Sequence, residues 1–424
     1  MSVAEQNLTD RITYTDLYTR WERNNWSAMD IDFSADRAGW DGLTEMQRRS
    51  AMWIYSMFFF GEDSVADNLS PYIDAAPTEE QKYFLTTQQV DEARHAVFFH
   101  RFFSEVIGAG DTVAETLAFT ESQLGWGYRK VFERLDRMAV ELRSDRSLPK
   151  FAQAITLYHL IVEATMAQPG QHYIEDFFIR SGSMPGFSAG MENVSRDEQR
   201  HIGFGVKVLS ELIRETDECR EAIDELLGEV MPWVSSVFIP PNWDRDYTRC
   251  YGFELEDISE WGMQAVEQKW RAIGWPMEDH APGVFPMDMS LSPRARAEQV
   301  IELVHSGVIG EPLPPSRVDT SERTQELYFG LVARSIDSSR VNGSPFTVQW
   351  KFDDANPWRV VVDNGSTRAE PGVDPTADVT VQSSWPDFIS LAKGELAPPM
   401  ALLQRRLKLS GGVRDLLRMQ RMFG

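Results

Sequence analysis

The sequence is short of cysteine, of long apolar runs and of positive charge, and each shortage narrows what the chain can be. Cys219 and Cys250 are its two cysteines. They form neither a CxxC pair nor a disulfide framework, which fits a reducing cytoplasm. No stretch approaches the ~18 consecutive apolar residues that read as a membrane span, and the polar N-terminus lacks a basic-then-apolar signal region. With 42 Lys and Arg against 65 Asp and Glu, the formal net charge is −23. Nucleic acid and anionic membrane both demand basic surface, so neither is expected as a bulk partner. A soluble cytoplasmic protein with no integral membrane segment is the plain reading. What the chain has in quantity is hydrophobic residues, 42% of 424. That is ample for real cores, and the length favours two domains.

Two stretches echo each other: Asp91-Glu92-Ala93-Arg94-His95 and Asp197-Glu198-Gln199-Arg200-His201. Each contains Glu-x-x-His, and three residues of helix turn through about 300°, so Glu and His share a face. Each follows an apolar helical segment carrying a lone glutamate, Glu62 after Trp53 to Gly61 and Glu163 within Leu160 to Ala164. An unpaired carboxylate in such surroundings costs several kcal/mol or shifts its pKa. Six ligands around a metal pair remove that cost, and Glu62, Glu92, His95, Glu163, Glu198 and His201 are the ligand set of four-helix dinuclear carboxylate proteins. Carboxylate oxygen with one imidazole per metal suits iron or manganese better than zinc, and no His-Glu-x-x-His is present. The alternative is a buried salt-bridge network with Arg94 and Arg200. Asp91 and Asp197, next to the ligand glutamates, are candidates to hold the histidines' second nitrogens, or else to pair with those arginines. His159 is read as a satisfied core histidine.

Along the chain, a Trp- and Asp-rich arm over the first forty residues is expected to pack on the bundle. Helices are expected from Thr44 to Leu69, from a capping box at Thr78 to Gln81 to an end at Gly108 and Gly110 (carrying Glu92 and His95), from a capping box at Thr112 to about Arg143, from Pro149 to Arg180 with an interruption at Pro169-Gly170, and around Glu198 and His201. Helix continues to about Trp275. Residues 1–285 read as one domain, and 286–315 as a proline-rich linker with a short helix near Ser292 to Ser306. Residues 316–424 read as an α+β domain, with strands at Phe346 to Phe352, Trp358 to Val362 and Ala377 to Val381. Helices follow at Trp385 to Lys393, Pro399 to Arg406 and Val413 to Phe423.

With these residues the chain resembles the ribonucleotide reductase small-subunit superfamily over roughly residues 20–285, and within it the small-subunit-like ligand-binding oxidases. The radical tyrosine of reductase subunits would fall at Phe99, and a folded domain stands where their docking tail would be, so a true reductase subunit is not expected. Tyr158 and Val65 match a tyrosine and a valine that become cross-linked in the oxidases, which makes both candidate catalytic residues. The resemblance implies a Mn/Fe or Fe/Fe centre, O2 as co-substrate and a long-chain fatty acid bound beside the metals. Separately, Ala377 to Val381, Trp385 to Phe388, Gly394 to Leu396 and the segments from Met400 to Phe423 resemble a sterol-carrier-protein type 2 domain, which implies a lipid-carrier function.

The expected architecture is an all-α ferritin-like helical bundle followed by an α+β lipid-carrier-like domain. The expected function is O2-dependent oxidation of a hydrophobic, lipid-like substrate at a dinuclear metal centre, in a homodimer served by an electron-donor protein. A di-iron acyl desaturase or hydroxylase needs the same ligands and stays open. So does a non-catalytic lipid-binding protein with a structural metal pair.

Overall fold

Each helix that carries a site residue is started by a specific cap. The computed structural model describes residues 12–173, 182–341 and 345–423, in two compact units, Met1–Met277 and Glu278–Gly424. The first unit is helical: α1 (Tyr14–Arg23), α2 (Glu45–Asn68), α3 (Glu79–Phe102), α4 (Trp126–Ser144), α5 (Leu148–Ile155), α6 (Pro185–Glu215), α7 (Asp217–Val234) and α8 (Leu255–Ile273), with shorter turns between. Thr44 and Gln47 form a complete capping box on α2. Thr78 caps α3 through the Gln81 N–H, but the Gln81 side chain donates instead to the Tyr14 hydroxyl at 3.0 Å. α3 is thereby tied to the arm. Its end loosens into a π turn, Phe103–Ile107, and stops at Gly108 with φ 78°, a left-handed position that glycine adopts without strain.

Two sequence expectations are corrected. The helix expected from Thr112 to Arg143 is two helices, Val113–Glu121 and α4. Ser122 turns its hydroxyl back onto the Phe119 carbonyl at 2.7 Å and Gly125 takes extended geometry before α4; both residue types compete with helical continuation. The interruption expected at Pro169-Gly170 is absent. α5 runs into a π segment, Thr156–Ala167, and helix continues through Tyr173; residues 174–180 of that expected helix lie outside the described residues. In the π segment hydrogen bonds reach five residues back, as Gln168 N to Glu163 O does. That widened register relieves the clash a proline ring makes with the carbonyl four residues before it.

α2 packs along α3, and the π segment along α6. α2 and the π segment lack a polar face: Trp53 through Phe59 and Thr156 through Met166 are all buried, as befits central helices. α6 lacks a side-chain cap of its own. The buried Asp36 of the arm supplies one, accepting from Gly186 N at 2.9 Å and Phe187 N at 2.6 Å. α6 also crosses the π segment closely at Gly205, where a Cβ would meet His159 Cβ at 2.3 Å.

The second unit is a five-stranded sheet with helices against one face. Its strands are β1 (Phe346–Phe352), β2 (Trp358–Asp363), β3 (Ser366–Pro371), β4 (Val379–Ser383) and β5 (Leu407–Gly411), in the order β3-β2-β1-β4-β5. β1 and β4 run parallel and the other pairs antiparallel. Alternation puts Phe346, Val348 and Trp350 of β1 on one side with Trp358, Val360, Val379 and Val381. The remaining helices are α9 (Pro293–His305), α10 (Glu322–Ser335), α11 (Trp385–Ala392), α12 (Pro398–Leu403) and α13 (Val413–Phe423). Leu303 and Val308 join this core, so the segment read as a linker supplies packing residues. β3 and α10 escaped the sequence reading. β3 is a largely polar edge strand, turned from β2 by Asn364-Gly365 with both φ positive, the hairpin turn those residues favour. No helix of the described residues is long and apolar enough to cross a membrane.

Replacing Asp36 by Ala leaves two buried backbone N–H groups unpaired at the start of α6. The variant is expected to lose about 2–6 kcal/mol of unfolding free energy, at the usual ~1–3 kcal/mol for each of the two orphaned groups. Denaturant unfolding of the helical unit measures it, and an unchanged midpoint would show that the cap is dispensable.

Candidate metal centre

The two Glu-x-x-His stretches face each other across the bundle, on α3 and α6. Both histidines turn Nδ1 inward. His95 Nδ1 lies 3.1 Å from Glu62 Oε2 and 3.5 Å from both Glu92 Oε2 and Glu198 Oε1. His201 Nδ1 lies 3.1 Å from Glu92 Oε1, 3.5 Å from Glu163 Oε1 and 3.7 Å from Glu198 Oε1. Two overlapping clusters result: Glu62, Glu92, His95 and Glu198, and Glu92, Glu163 and His201. Glu92 offers one carboxylate oxygen to each imidazole, and Glu198 Oε1 faces both. All six side chains are buried.

Both Nε2 atoms turn outward, and each histidine meets the aspartate of the opposite stretch. His95 Nε2 is 3.3 Å from Asp197, and His201 Nε2 is 3.1 Å from Asp91. Asp91 and Asp197 also hold the arginines that sequence alone left as rivals. Arg200 bridges them, contacting Asp91 and reaching Asp197 at 2.9 Å. Arg94 reaches Asp91 at 3.0 Å and Asp197 at 3.5 Å. Trp21 donates its indole N–H to Asp91 and Trp26 donates to Asp197, each at 2.8 Å. Each aspartate therefore contacts an imidazole and an arginine at once. Among the described residues no Lys or Arg pairs with the four glutamates, so the salt bridges belong to the aspartates and leave the glutamates to one another.

The electrostatics follow from that division. Burial pushes Glu62, Glu163 and Glu198 above the usual carboxylate range, with neighbouring carboxylates adding to it. Burial works the same way on Glu92, but the His201 and His95 rings hold it well below. Burial would lower both histidines, yet Glu62 and Asp197 around His95, and Glu92 and Asp91 around His201, hold them well above the ordinary value. Groups whose proton affinity is raised in this way exchange those protons for a cation when one binds. The donor set fits a pair of divalent cations on a second ground. Glu163 Oε2 is buried with no hydrogen-bond partner, and His201 Nδ1, though close to Glu92 Oε1, is not aligned for a hydrogen bond to it; a buried polar group left without a partner costs about 1–3 kcal/mol, more when charged.

Tyr158 donates its hydroxyl to Glu92 Oε1 at 2.6 Å. On an ideal α-helix it would point well away from Glu163, five residues on; the π segment brings the two round to one side. Val65 and Tyr158 line one cavity of about 50 Å³ together with Glu62, Glu92, Glu163 and Glu198. Its other walls include Phe58, Phe132, Val162, Met166 and Phe238. Phe99 is buried and stacked on Phe58, centroids 5.8 Å apart.

The sequence reading missed several residues that support the site. Gln88 donates its amide N–H to Glu163 at 2.7 Å and accepts from the Nε2–H of His159 through its amide oxygen at 3.0 Å. Burial pushes His159 down to about 3, so the ring stays neutral. Gln88 sits one turn before Glu92, a spacing that could have flagged it; Trp21 and Trp26 gave only their abundance in the arm.

Comparison with known proteins agrees with this geometry. Solved structures titled R2-like ligand-binding oxidase resemble the chain. A glycine variant with an anaerobically reconstituted Mn/Fe cofactor gives 25% identity and a TM-score of 0.53. A valine variant gives 25% and 0.54, and a tyrosine variant with an aerobically reconstituted Mn/Fe cofactor gives 25% and 0.52. Each match covers 62% of this chain and 93% of the other. Residues 333–424 match the SCP-2 sterol transfer family. Residues 9–232 match the family model for the ribonucleotide reductase small chain, more than half of the sequence, and the chain belongs to that family.

Proposed function

We propose that the helical unit is a dinuclear metal oxidase acting with O2 on a hydrophobic, lipid-like substrate. The observation that carries the reading is the convergence of four buried glutamates and two imidazole Nδ1 atoms, with the nearby arginines spent on Asp91 and Asp197. Glu62 and His95 would hold one metal and Glu163 and His201 the other, with Glu92 and Glu198 in reach of both. The Mn/Fe cofactor of the similar structures makes Mn/Fe the first choice and Fe/Fe the second. Bound there, such a pair supplies the redox chemistry that couples reduction of O2 to oxidation of a C–H bond.

The chain's own residues do the rest. Asp91 and Asp197 fix the orientation of the two rings through Nε2. Tyr158 holds a proton 2.6 Å from Glu92. Phe58, Phe99 and Phe132 keep water from the apolar side, and Val65 presents C–H bonds to the cavity. In the similar structures the altered glycine and valine stand four positions apart, as Gly61 and Val65 do here. The cavity of about 50 Å³ is about a third of the ~150 Å³ in which an engineered cavity takes benzene. It suits O2 or the end of an alkyl chain, and a long-chain fatty acid would enter fully only with movement of residues such as Met166 and Phe238. The carrier-like second unit supports an apolar substrate.

Anaerobic loading with Mn(II) and Fe(II), followed by air, tests the reading. Two metals per chain, O2 uptake and a visible absorption change are expected. Metal binding without O2 uptake would favour a structural metal pair in a lipid-binding protein. Glu92→Ala is expected to abolish binding of the pair, and Asp197→Ala to weaken metal affinity about 10–100-fold, both read by metal analysis after dialysis.

The raised carboxyls and histidines set the pH dependence. Cations must displace protons that the pocket holds, so uptake releases protons and weakens as pH falls. Titration with metal in weakly buffered solution at two pH values measures this, and uptake without proton release would contradict it.

If oxidation reaches the chain itself, linking the Tyr158 and Val65 side chains removes two hydrogen atoms. Peptide mass spectrometry of aerobically loaded protein is expected to find a cross-linked pair that is absent after anaerobic loading and absent in Tyr158→Phe.

A further inference from the structure

Three helices of the first unit each turn a face toward one cavity of about 340 Å³. Gln168 and Gln171 reach it from the helix that continues the π segment, Gln199 from α6, and Gln264 and Gln268 from α8. Spacings of three and four residues keep each set on a single helix face. Where the helices of a bundle face one another, such positions usually carry apolar side chains. Here they hold five of the chain's 18 glutamines.

Most of these carboxamides are uncommitted. Gln264 donates to Glu260 at 3.1 Å. The side chains of Gln168, Gln171, Gln199 and Gln268 have no hydrogen-bond partner among the described residues. Gln171 is 3% exposed, and its Nε2 is buried without an acceptor. A solvated junction between helices accounts for exposed glutamines that bond to water, but not for a buried amide left unpaired. It does not account for the charge either. Charged residues are 25% of the chain, yet among the described residues no Asp, Glu, Lys or Arg lines the cavity.

That wall selects its ligand. A phosphate or carboxylate would find no Lys or Arg to pair with, and an ammonium no carboxylate. A carboxamide offers two N–H donors and a carbonyl acceptor, which complements a hydroxyl group that donates and accepts in turn. Trp261, Pro169 and Ala265 add an apolar patch to the same wall, and the Trp261 ring meets His172 edge-on at 4.5 Å. Hydroxyl groups set round a C–H face are the surface of a pyranose ring. The volume of about 340 Å³ falls at the lower end of the ~300–1,000 Å³ of small-molecule pockets. We propose that this cavity binds a neutral sugar, with its hydroxyls on the glutamines and one ring face on the apolar patch. Binding there requires no metal, since none of the six candidate metal ligands lines the cavity.

The test is saturation-transfer NMR of the full chain with glucose, maltose and trehalose, beside glucose 6-phosphate and glucosamine. Transfer is expected to at least one of the three neutral sugars and to be weaker on both charged ones. Gln171→Leu is expected to weaken binding roughly tenfold, the loss that follows from one buried hydrogen bond, and Trp261→Ala at least as much. Gln199→Ala with Gln268→Ala alters only exposed side chains. It is expected to weaken binding with helical content unchanged by circular dichroism, so the outcome does not hang on the folding of the other variants. Gln404→Ala, in the second unit, is expected to leave binding as it was. Transfer to none of the neutral sugars, equal or stronger transfer to the charged ones, or binding that survives all the wall variants would overturn the proposal.

Discussion

The structure of the helical unit depends on burying four carboxylates within an apolar interior. Glu62, Glu92, Glu163 and Glu198 sit among central helices whose other residues are almost all hydrophobic. Moving an ionised carboxylate into such a medium costs far more than any single packing contact returns. The fold answers locally: the histidines lie within the carboxylate cluster, and burial and mutual repulsion push three of the four carboxyls above the usual carboxylate range. Every other feature of the site reads as a means of keeping that cluster intact and ready for cations.

The next layer outward works by exchange. Each aspartate lies beside the glutamate of its own stretch yet serves the histidine of the other. Arg94 and Arg200 span both aspartates, and Trp21 and Trp26 close the outer side. Since α3 contributes to the α6 histidine and the reverse, neither helix can shift without disturbing both rings. The arm is part of the same lock, because it supplies the two indoles and the Asp36 cap on α6. A Trp- and Asp-rich segment with weak periodicity is what such a role demands: side chains that reach inward from an irregular backbone.

Bulk charge is a blunt guide to any one place on the chain. A net charge of −23 argues against nucleic acid and anionic membrane as bulk partners. Charge acts over about 8–10 Å at ordinary salt, so a cavity walled by carboxamides sees its neighbours and not the sum. The composition hid that cavity because its glutamines lie on three helices far apart in the sequence.

The sequence by itself determined the ligand candidates, since Glu-x-x-His twice, each preceded by a glutamate in an apolar helix, is a pattern set by helical geometry. It also gave the helical nature of the first unit, and β1, β2 and α13 nearly to the residue, because strong periodicity reports which face is buried. Other features were decided by contacts between residues distant in the chain. The pairing of Asp91 with His201 and of Asp197 with His95 spans about a hundred residues, and nothing local to either stretch specifies it. The aim of Tyr158 at Glu92 depends on the π segment, whose widened register local propensity does not signal. β3 is polar and gains its place by pairing with β2 and packing against α10. Local pattern fixed which groups exist and which face each presents; only packing decided which partner each group meets.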